Sequence, residues 1–191
     1  MTTVLNLPLI QAYPETIREL QETYPNANLR IEIRKKAPQN MLTEQGFWEI
    51  IQLFDWTDSE DNSRVLAPAI EALATSPVHH IYLFSDILAT KLYSLDERRF
   101  AEQIGDDAYS PNTYFSVDNF LYARCCVVAN GQAFYKAVLQ NPTLMPKNLT
   151  FEALLNLPSK AYLKKTGKPF NYLSTTSIET YSNKLGWQKP H

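Results

Sequence analysis

Residues 116–140 read SVDNFLYARCCVVANGQAFYKAVLQ and contain the longest apolar run of the chain. From Phe120 to Val128 nearly every direction around a helix axis is apolar, which predicts a helix buried on most sides. Ser116 fits the N-cap of this helix, and Asp118 falls in its first turn, where the helix dipole favours a negative charge. Asn130-Gly131 suits a helix end, so we expect a second helix to follow and to stop at Asn141-Pro142. The stretch therefore predicts a helical hairpin or a kinked pair at the centre of the fold.

Helical spacing of apolar residues continues on both sides of this pair. Polar residues that favour helix starts precede the apolar runs, as Thr43 does before Phe47 and Ser76 before Pro77. One predicted helix begins after Thr43, and the next carries Val65, Leu66, Ile70 and Leu73 on its inward face. The others run from Ser76-Pro77 to about Tyr93, from Asp96 to Ile104, and from Thr150 past Pro158 to Gly167. We therefore expect residues 41–191 to form a mainly α domain, a multi-helix bundle whose tail from about residue 168 is partly ordered.

The first 40 residues show a different pattern. Thr2–Ile10 is a β-type run, and Leu29–Ile33 alternates apolar with charged residues, the period of a half-buried strand. Between them Pro14 opens a helix to Tyr24, which Pro25 stops. We expect a small N-terminal strand-helix-strand (β-α-β-like) extension over residues 1–40, which makes the whole chain α+β.

Composition narrows the class of protein. The 191 residues are 45% hydrophobic and 20% charged, which is typical of a soluble globular chain with a full core. Charges interrupt every apolar stretch before the roughly 18 residues that a membrane span needs. The adjacent Cys125 and Cys126 cannot build a disulfide framework, since neighbours on a helix diverge by about 100°. We therefore expect a cytoplasmic protein without membrane contact.

Charge is unevenly distributed behind the net charge of -2. Residues 41–110 hold 4 Lys/Arg and 13 Asp/Glu, whereas residues 111–191 hold 9 and 3. The two parts can attract each other within the fold, or the basic end can meet an anionic partner such as a nucleic acid. The spaced lysines Lys160, Lys164, Lys165 and Lys168 fit a solvated helix face, so a nucleic-acid partner is the less favoured interpretation.

Several short motifs together resemble a known family. These are Phe47-Trp48-Glu49, the run from Asp118 to Arg124 followed by Val127 to Gly131, then Phe134-Tyr135 and Asn141-Pro142. Over about residues 41–145 the chain resembles a bacterial family known only as domain of unknown function 4240 (DUF4240). The resemblance implies a mainly helical fold and no particular activity, because the family is uncharacterised.

Arg124 is the polar residue that most needs an explanation. In a helix buried on most sides, its guanidinium must find a carboxylate or several carbonyls. Asp118 lies six residues away, about 240° around the axis, so the expected carboxylate comes from elsewhere. The candidates are Asp106, Asp107, Glu49 and Glu152. Arg124 then either joins helices through an ion pair or forms the floor of a pocket for a small anion.

If such a pocket exists, its candidate ligand-binding residues are Arg124, Asp118, Tyr122, Tyr135 and Trp48. Asp118 also fits a helix-start charge, and Trp48 also fits core or rim packing. The neighbouring histidines His79 and His80 lack the i, i+4 spacing of a helical metal site, and no glycine-rich phosphate loop is present. We expect no metal and no cofactor, and cysteines that act as packing rather than as nucleophiles.

Three functions remain open. The favoured one is a non-enzymatic protein-interaction or regulatory module that binds another protein. The alternative is an enzyme or small-anion binder with a pocket around Arg124. The third is nucleic-acid binding through the basic C-terminal part.

Overall fold

A computed structural model of the chain describes residues 14–25, 41–58 and 60–188. The chain divides into two units, residues 1–39 and 40–191. In the first unit a helix, α1 (Pro14–Thr23), stands where the sequence predicts one. The predicted strands Thr2–Ile10 and Leu29–Ile33 lie outside the described residues, and the described residues contain no strand. The helical class is therefore confirmed, whereas the strands of the N-terminal extension find no support.

The second unit is a succession of helices, with its longest stretch lacking helical turns between helices at residues 102–116. Its α-helices are α2 (Glu44–Ile51), α3 (Asn62–Thr75), α4 (Val78–Ser94), α5 (Arg98–Ala101), α6 (Val117–Ala129), α7 (Gly131–Gln140) and α8 (Leu157–Thr166). Short 3-10 turns lie at Trp56–Asp58, Pro142–Leu144 and Glu152–Asn156. None of the described helices is long and apolar enough to cross a membrane.

Local hydrogen bonds explain where these helices begin and end. The Ser116 hydroxyl accepts from the Asn119 N–H at 3.2 Å, and the Thr43 hydroxyl accepts from the Gly46 N–H at 3.1 Å, so these two predicted caps are confirmed. The predicted cap at Ser76 is wrong, because its hydroxyl donates back to the Ala72 carbonyl at 2.9 Å and Pro77 is the residue before α4. Gly131 has a φ of +87° between α6 and α7, and Gly167 has a φ of +68° at the end of α8. Both glycines occupy the left-handed region that other residues avoid.

Two predicted helices differ from the observed ones. The helix expected from Asp96 to Ile104 is the single turn α5, because Asp96 is taken up by long-range contacts described below. The helix expected to start at Thr150 begins with the 3-10 turn Glu152–Asn156 and becomes α-helical only from Leu157. Pro158 then stands in the first turn, where its missing N–H costs nothing.

Helix α6 forms the centre of the core. Phe120, Cys125, Val127 and Val128 are fully buried, and α6 packs against α4, α7 and the turn Glu152–Asn156. A second layer joins α3 and α4 to α8. The apolar run that opened the sequence thus occupies the most enclosed position in the unit.

Beyond α8 the chain continues without helix or strand to Gln188, the last described residue. From Phe170 to Thr180 burial alternates strictly: even-numbered residues are half-buried and odd-numbered residues are exposed. This is the period of an extended chain lying on a surface. We call residues 170–187 the strap.

Candidate functional site

Arg124 is fully buried on α6, at 0% exposure. Its guanidinium donates to the carbonyl of Leu92 in the last turn of α4, and to the Ile178 carbonyl and the Thr180 hydroxyl in the strap, each at 3.0 Å. The face of the guanidinium lies 4.8 Å from the centre of the Phe120 ring. Burial lowers the pKa of Arg124, and the negative charge of Asp96 opposes that shift. Carbonyls, rather than an ion pair, therefore hold this arginine.

The predicted carboxylate partners of Arg124 were wrong. The Asp106 and Asp107 side chains bond to Asn148 and Asn119, at 3.2 and 2.6 Å. Glu49 accepts from the Gln45 side chain at 2.9 Å, and Glu152 is exposed. The last turn of a helix has carbonyls without helical donors, so the end of α4 supplies an acceptor that no sequence spacing indicates.

Asp96 is the second fully buried charge, also at 0% exposure, and it follows directly after α4. One carboxylate oxygen accepts from the Tyr181 N–H at 3.1 Å and from the Trp187 indole N–H at 2.8 Å. The other accepts from the Asn183 N–H at 2.9 Å. All three donors belong to the strap. The sequence interpretation missed Asp96 because a carboxylate that directly follows an apolar helix is usually exposed to water.

Aromatic side chains fix the strap at both ends. At the first end, Phe170 and Tyr172 pack against Tyr82 of α4, with ring centres 5.7 and 4.9 Å away, and the Tyr172 hydroxyl donates to Asp86 at 2.8 Å. At the other end, Trp187 packs against a group of rings 4.3 to 6.1 Å away, namely Tyr109, Phe115, Phe120 and Tyr181. We call the contacts of Phe170 and Tyr172 the first anchor, and the contacts of residues 178–187 the second anchor.

Two predicted site residues, Trp48 of α2 and Tyr135 of α7, meet elsewhere, with ring centres 5.3 Å apart. The Tyr135 hydroxyl donates to the Lys91 carbonyl at 3.2 Å, and burial raises the pKa of Tyr135 to about 12. The Lys91 ammonium lies 5.8 and 5.5 Å from the two ring centres and pairs with Glu44 at 2.7 Å. The hydrogen bond from Lys91 holds the pKa of Glu44 below its usual value.

A groove of about 360 Å³ opens beside this cluster. Its lining residues come from α2, from the residue after it, and from the start of α7: Glu44, Gln45, Trp48, Glu49, Gln52 and Gln132. The α2 positions recur at the spacing of one helix face. We call this the α2 groove.

The remaining predicted residues, Asp118 and Tyr122, lie apart from both clusters. Asp118 is exposed in the first turn of α6, where its helix-start role is sufficient. Tyr122 is half-buried, and burial together with the negative charges of Glu152 and Asp118 raises its pKa. The five predicted ligand-binding residues thus fall into three settings in the described structure, and no single pocket contains them.

Both cysteines pack in or against the core. Burial raises the pKa of the Cys125 thiol to about 12 and also raises that of Cys126. A protonated, enclosed thiol is a poor nucleophile. The His79 and His80 rings contact each other edge to face, with centres 4.6 Å apart. Within residues 14–25, 41–58 and 60–188, no group of three or more His, Cys, Asp or Glu residues is arranged to hold a metal ion.

Comparison with known proteins gives one match. The family model described as "Protein of unknown function (DUF4240)" matches residues 42–164, from just before α2 to near the end of α8. Neither the curated proteins nor the solved structures contain a match. The matched segment includes Asp96 and Arg124 and ends before the strap. The chain belongs to the DUF4240 family.

Proposed function

We propose that the protein is a non-enzymatic protein-interaction module whose α2 groove binds a polypeptide segment carrying a lysine or arginine side chain. The observation that carries the proposal is the position of Glu49 on the open side of α2. Its carboxylate forms no ion pair with any described residue and accepts only from Gln45. A cationic side chain that enters the groove would supply the missing charge.

The rest of the groove suits a peptide. Gln52 and Gln132 carry amide groups, which donate to and accept from peptide backbone. Trp48 lies beneath the groove, buried at 3% exposure, and its indole N–H donates to the Glu44 carboxylate at 3.3 Å, which holds that side chain in place. The charge of Glu44 is already balanced by Lys91, so Glu49 leaves a net negative charge beside the groove.

The surrounding charge favours the same class of partner. The groove lies within residues 41–110, or beside them at Gln132, and this part of the chain has 13 acidic and 4 basic residues. Long-range attraction raises the association rate of a basic segment and falls as salt is added.

The two alternative functions have less support. A small anion reaches Arg124 only if the strap leaves, since that side chain is fully covered. For nucleic acid, two lysines of the basic C-terminal part are already engaged with α3: Lys164 pairs with Glu71, and Lys165 donates to the Ala74 carbonyl at 3.0 Å. These contacts favour attraction between the acidic and basic parts within the fold.

Fluorescence anisotropy with a labelled peptide of alternating lysine and serine tests the proposal. We expect saturable binding at low salt, about fivefold weaker or more in Glu49→Lys, because charge reversal in the groove replaces attraction by repulsion. Glu60→Lys is the matched control, since Glu60 is exposed and lies outside the groove. Equal weakening in both variants would reduce the effect to net charge and refute the site, as would no binding to the wild-type protein.

A further inference from the structure

We call the helices α2 to α8, with the loops between them, the body. The strap lies on the body in the way a bound peptide lies on its receptor. Arg124 and Asp96 beneath it are fully buried, yet every residue from Phe170 to Gln188 is half-buried or exposed. Without a helix or a strand of its own, the strap obtains its long-range hydrogen bonds from the body. The buried residues of this contact therefore belong to the body, and the strap covers them.

The buried pair recognises mainly polypeptide backbone. Of the five hydrogen bonds between the pair and the strap, three involve main-chain atoms, those of Ile178, Tyr181 and Asn183. The turn at Tyr181, whose φ is +72°, lies between the carbonyl of Ile178 and the N–H of Asn183, so the segment must turn to present these groups. The other two bonds involve side chains, namely the Thr180 hydroxyl and the Trp187 indole. The ligand class is thus a peptide that forms turns like those of residues 179–187, with Ser or Thr followed seven residues later by Trp.

Asp96 and Arg124 also show features of a receptor site. Both lie within the segment that the DUF4240 model matches, which ends at residue 164, whereas their strap partners lie beyond it. In addition, the Nε of Arg124 is buried without a hydrogen-bond partner. An unsatisfied donor in a buried guanidinium is costly, so the strap is an incomplete partner for this site.

The strap is built to detach in part. Between the two anchors, the side chains of Ser174 and Ser177 accept only from backbone N–H groups two residues further on or from the nearby Ser182 hydroxyl, and Leu173 is 92% exposed. No hydrogen bond joins residues 173–177 to the helical body in the described structure. The second anchor can therefore leave while the first anchor stays, and water can then solvate Arg124 and Asp96.

We propose that the body surface around Arg124 and Asp96 is a binding site for a polypeptide segment in the turned conformation of residues 178–187, and that these residues occupy it in cis until a similar segment of another chain replaces them. The strap then acts as an internal competitor. A tethered competitor has an effective concentration of about a millimolar, so a free segment binds the intact protein weakly. Weakening the strap alone should raise the affinity for that segment.

The test uses the full chain and a fluorescently labelled peptide with the sequence of residues 174–188. In Trp187→Ala, the strap loses the indole hydrogen bond and its ring contacts, while no residue of the body is replaced. We expect this variant to bind the peptide at least about tenfold more tightly than the wild-type protein does, as release of a competitor requires. Leu185→Ala is the matched control, because Leu185 is 79% exposed in the same segment, and it should bind like the wild type.

Two further arms make the result specific. Adding Asp96→Asn to the Trp187→Ala chain should reduce peptide binding at least about tenfold, and a peptide with alanine in place of its tryptophan should not compete. Equal affinity in the wild-type and Trp187→Ala proteins, or binding that is indifferent to Asp96, overturns the proposal.

Hydrogen exchange of the wild-type protein decides the matter if Trp187→Ala does not fold. The amides of Tyr181 and Asn183 bond to Asp96, and the amide of Arg98 bonds to the Gly186 carbonyl at 3.0 Å. We expect these three amides to exchange together, at least about tenfold faster than the amides of α6, through opening of the second anchor. Exchange only at the rate of the α6 core would show that the strap never detaches, and would overturn the proposal.

Discussion

Replacing Asp96 with alanine should weaken the fold more than any single change at the surface. The substitution leaves the N–H groups of Tyr181 and Asn183 and the indole of Trp187 without their acceptor. It also removes the negative charge that favours the buried Arg124 cation. A hydrogen bond to a charged group contributes about 1.5 to 3 kcal/mol, and Asp96 accepts three such bonds.

These free-energy contributions do not add in full, because the strap can detach from the body. All three donors belong to a half-buried or exposed segment, so on detachment they bond to water instead. The loss is therefore limited to the free energy that docks the second anchor. We expect Asp96→Ala to reduce the free energy of unfolding by about 2 to 4 kcal/mol.

Urea unfolding followed by both circular dichroism and tryptophan fluorescence measures this loss. Asp96→Asn is the informative companion, because it keeps an acceptor oxygen but loses the charge, and it should fall between the wild type and the alanine variant. Combined with Trp187→Ala, Asp96→Ala should be clearly less than additive, since both act on one docking event. A loss below about 1 kcal/mol, or full additivity, would refute the reasoning.

Two other predictions concern backbone strain and thiol chemistry. Gly105→Ala should cost about 1 to 3 kcal/mol of stability in urea unfolding, because φ is +102° and the added Cβ would lie 2.1 Å from the Asn148 side chain. Gly131→Ala, at φ +87° with nothing within 4 Å, should cost less; a reversed order would exclude the steric explanation. Alkylation by iodoacetamide at pH 8, read by mass spectrometry, should modify the half-buried Cys126 before Cys125, since burial raises the pKa of Cys125 to about 12. Prompt modification of Cys125 in the folded protein would contradict its burial.

The parts of the fold that sequence predicts are those fixed by neighbours along the chain. The Ser116 cap bonds three residues ahead, and the apolar pattern of α4 and α6 recurs within each helix. Such short-range patterns also predicted α1 and the break at Gly131. Where the observed element departs from the prediction, as at Asp96, a contact distant in sequence has replaced the local preference.

The candidate sites depend on contacts that no local pattern contains. Arg124 bonds to residues 54 and 56 positions later, and Asp96 to residues 85, 87 and 91 positions later. The sequence shows that a buried arginine needs several acceptors, but the acceptors lie on another helix and on an irregular segment. Trp48 and Tyr135 meet for a similar reason, since their helices are far apart in sequence and adjacent in the core.

The absence of helix and strand in the strap explains why two charges are buried in a largely apolar body. In a sheet, an extended segment satisfies its backbone through a neighbouring strand. A helix offers no such partner, because its own N–H and C=O groups are already used along its length. Here Arg124 donates to a strap carbonyl and Asp96 accepts from two strap N–H groups, so the two side chains perform the task of the absent strand. The buried donor Arg124 and the buried acceptor Asp96 thus hold an irregular segment on a helical surface, and the same two groups would serve a partner segment that presents its backbone in the same way.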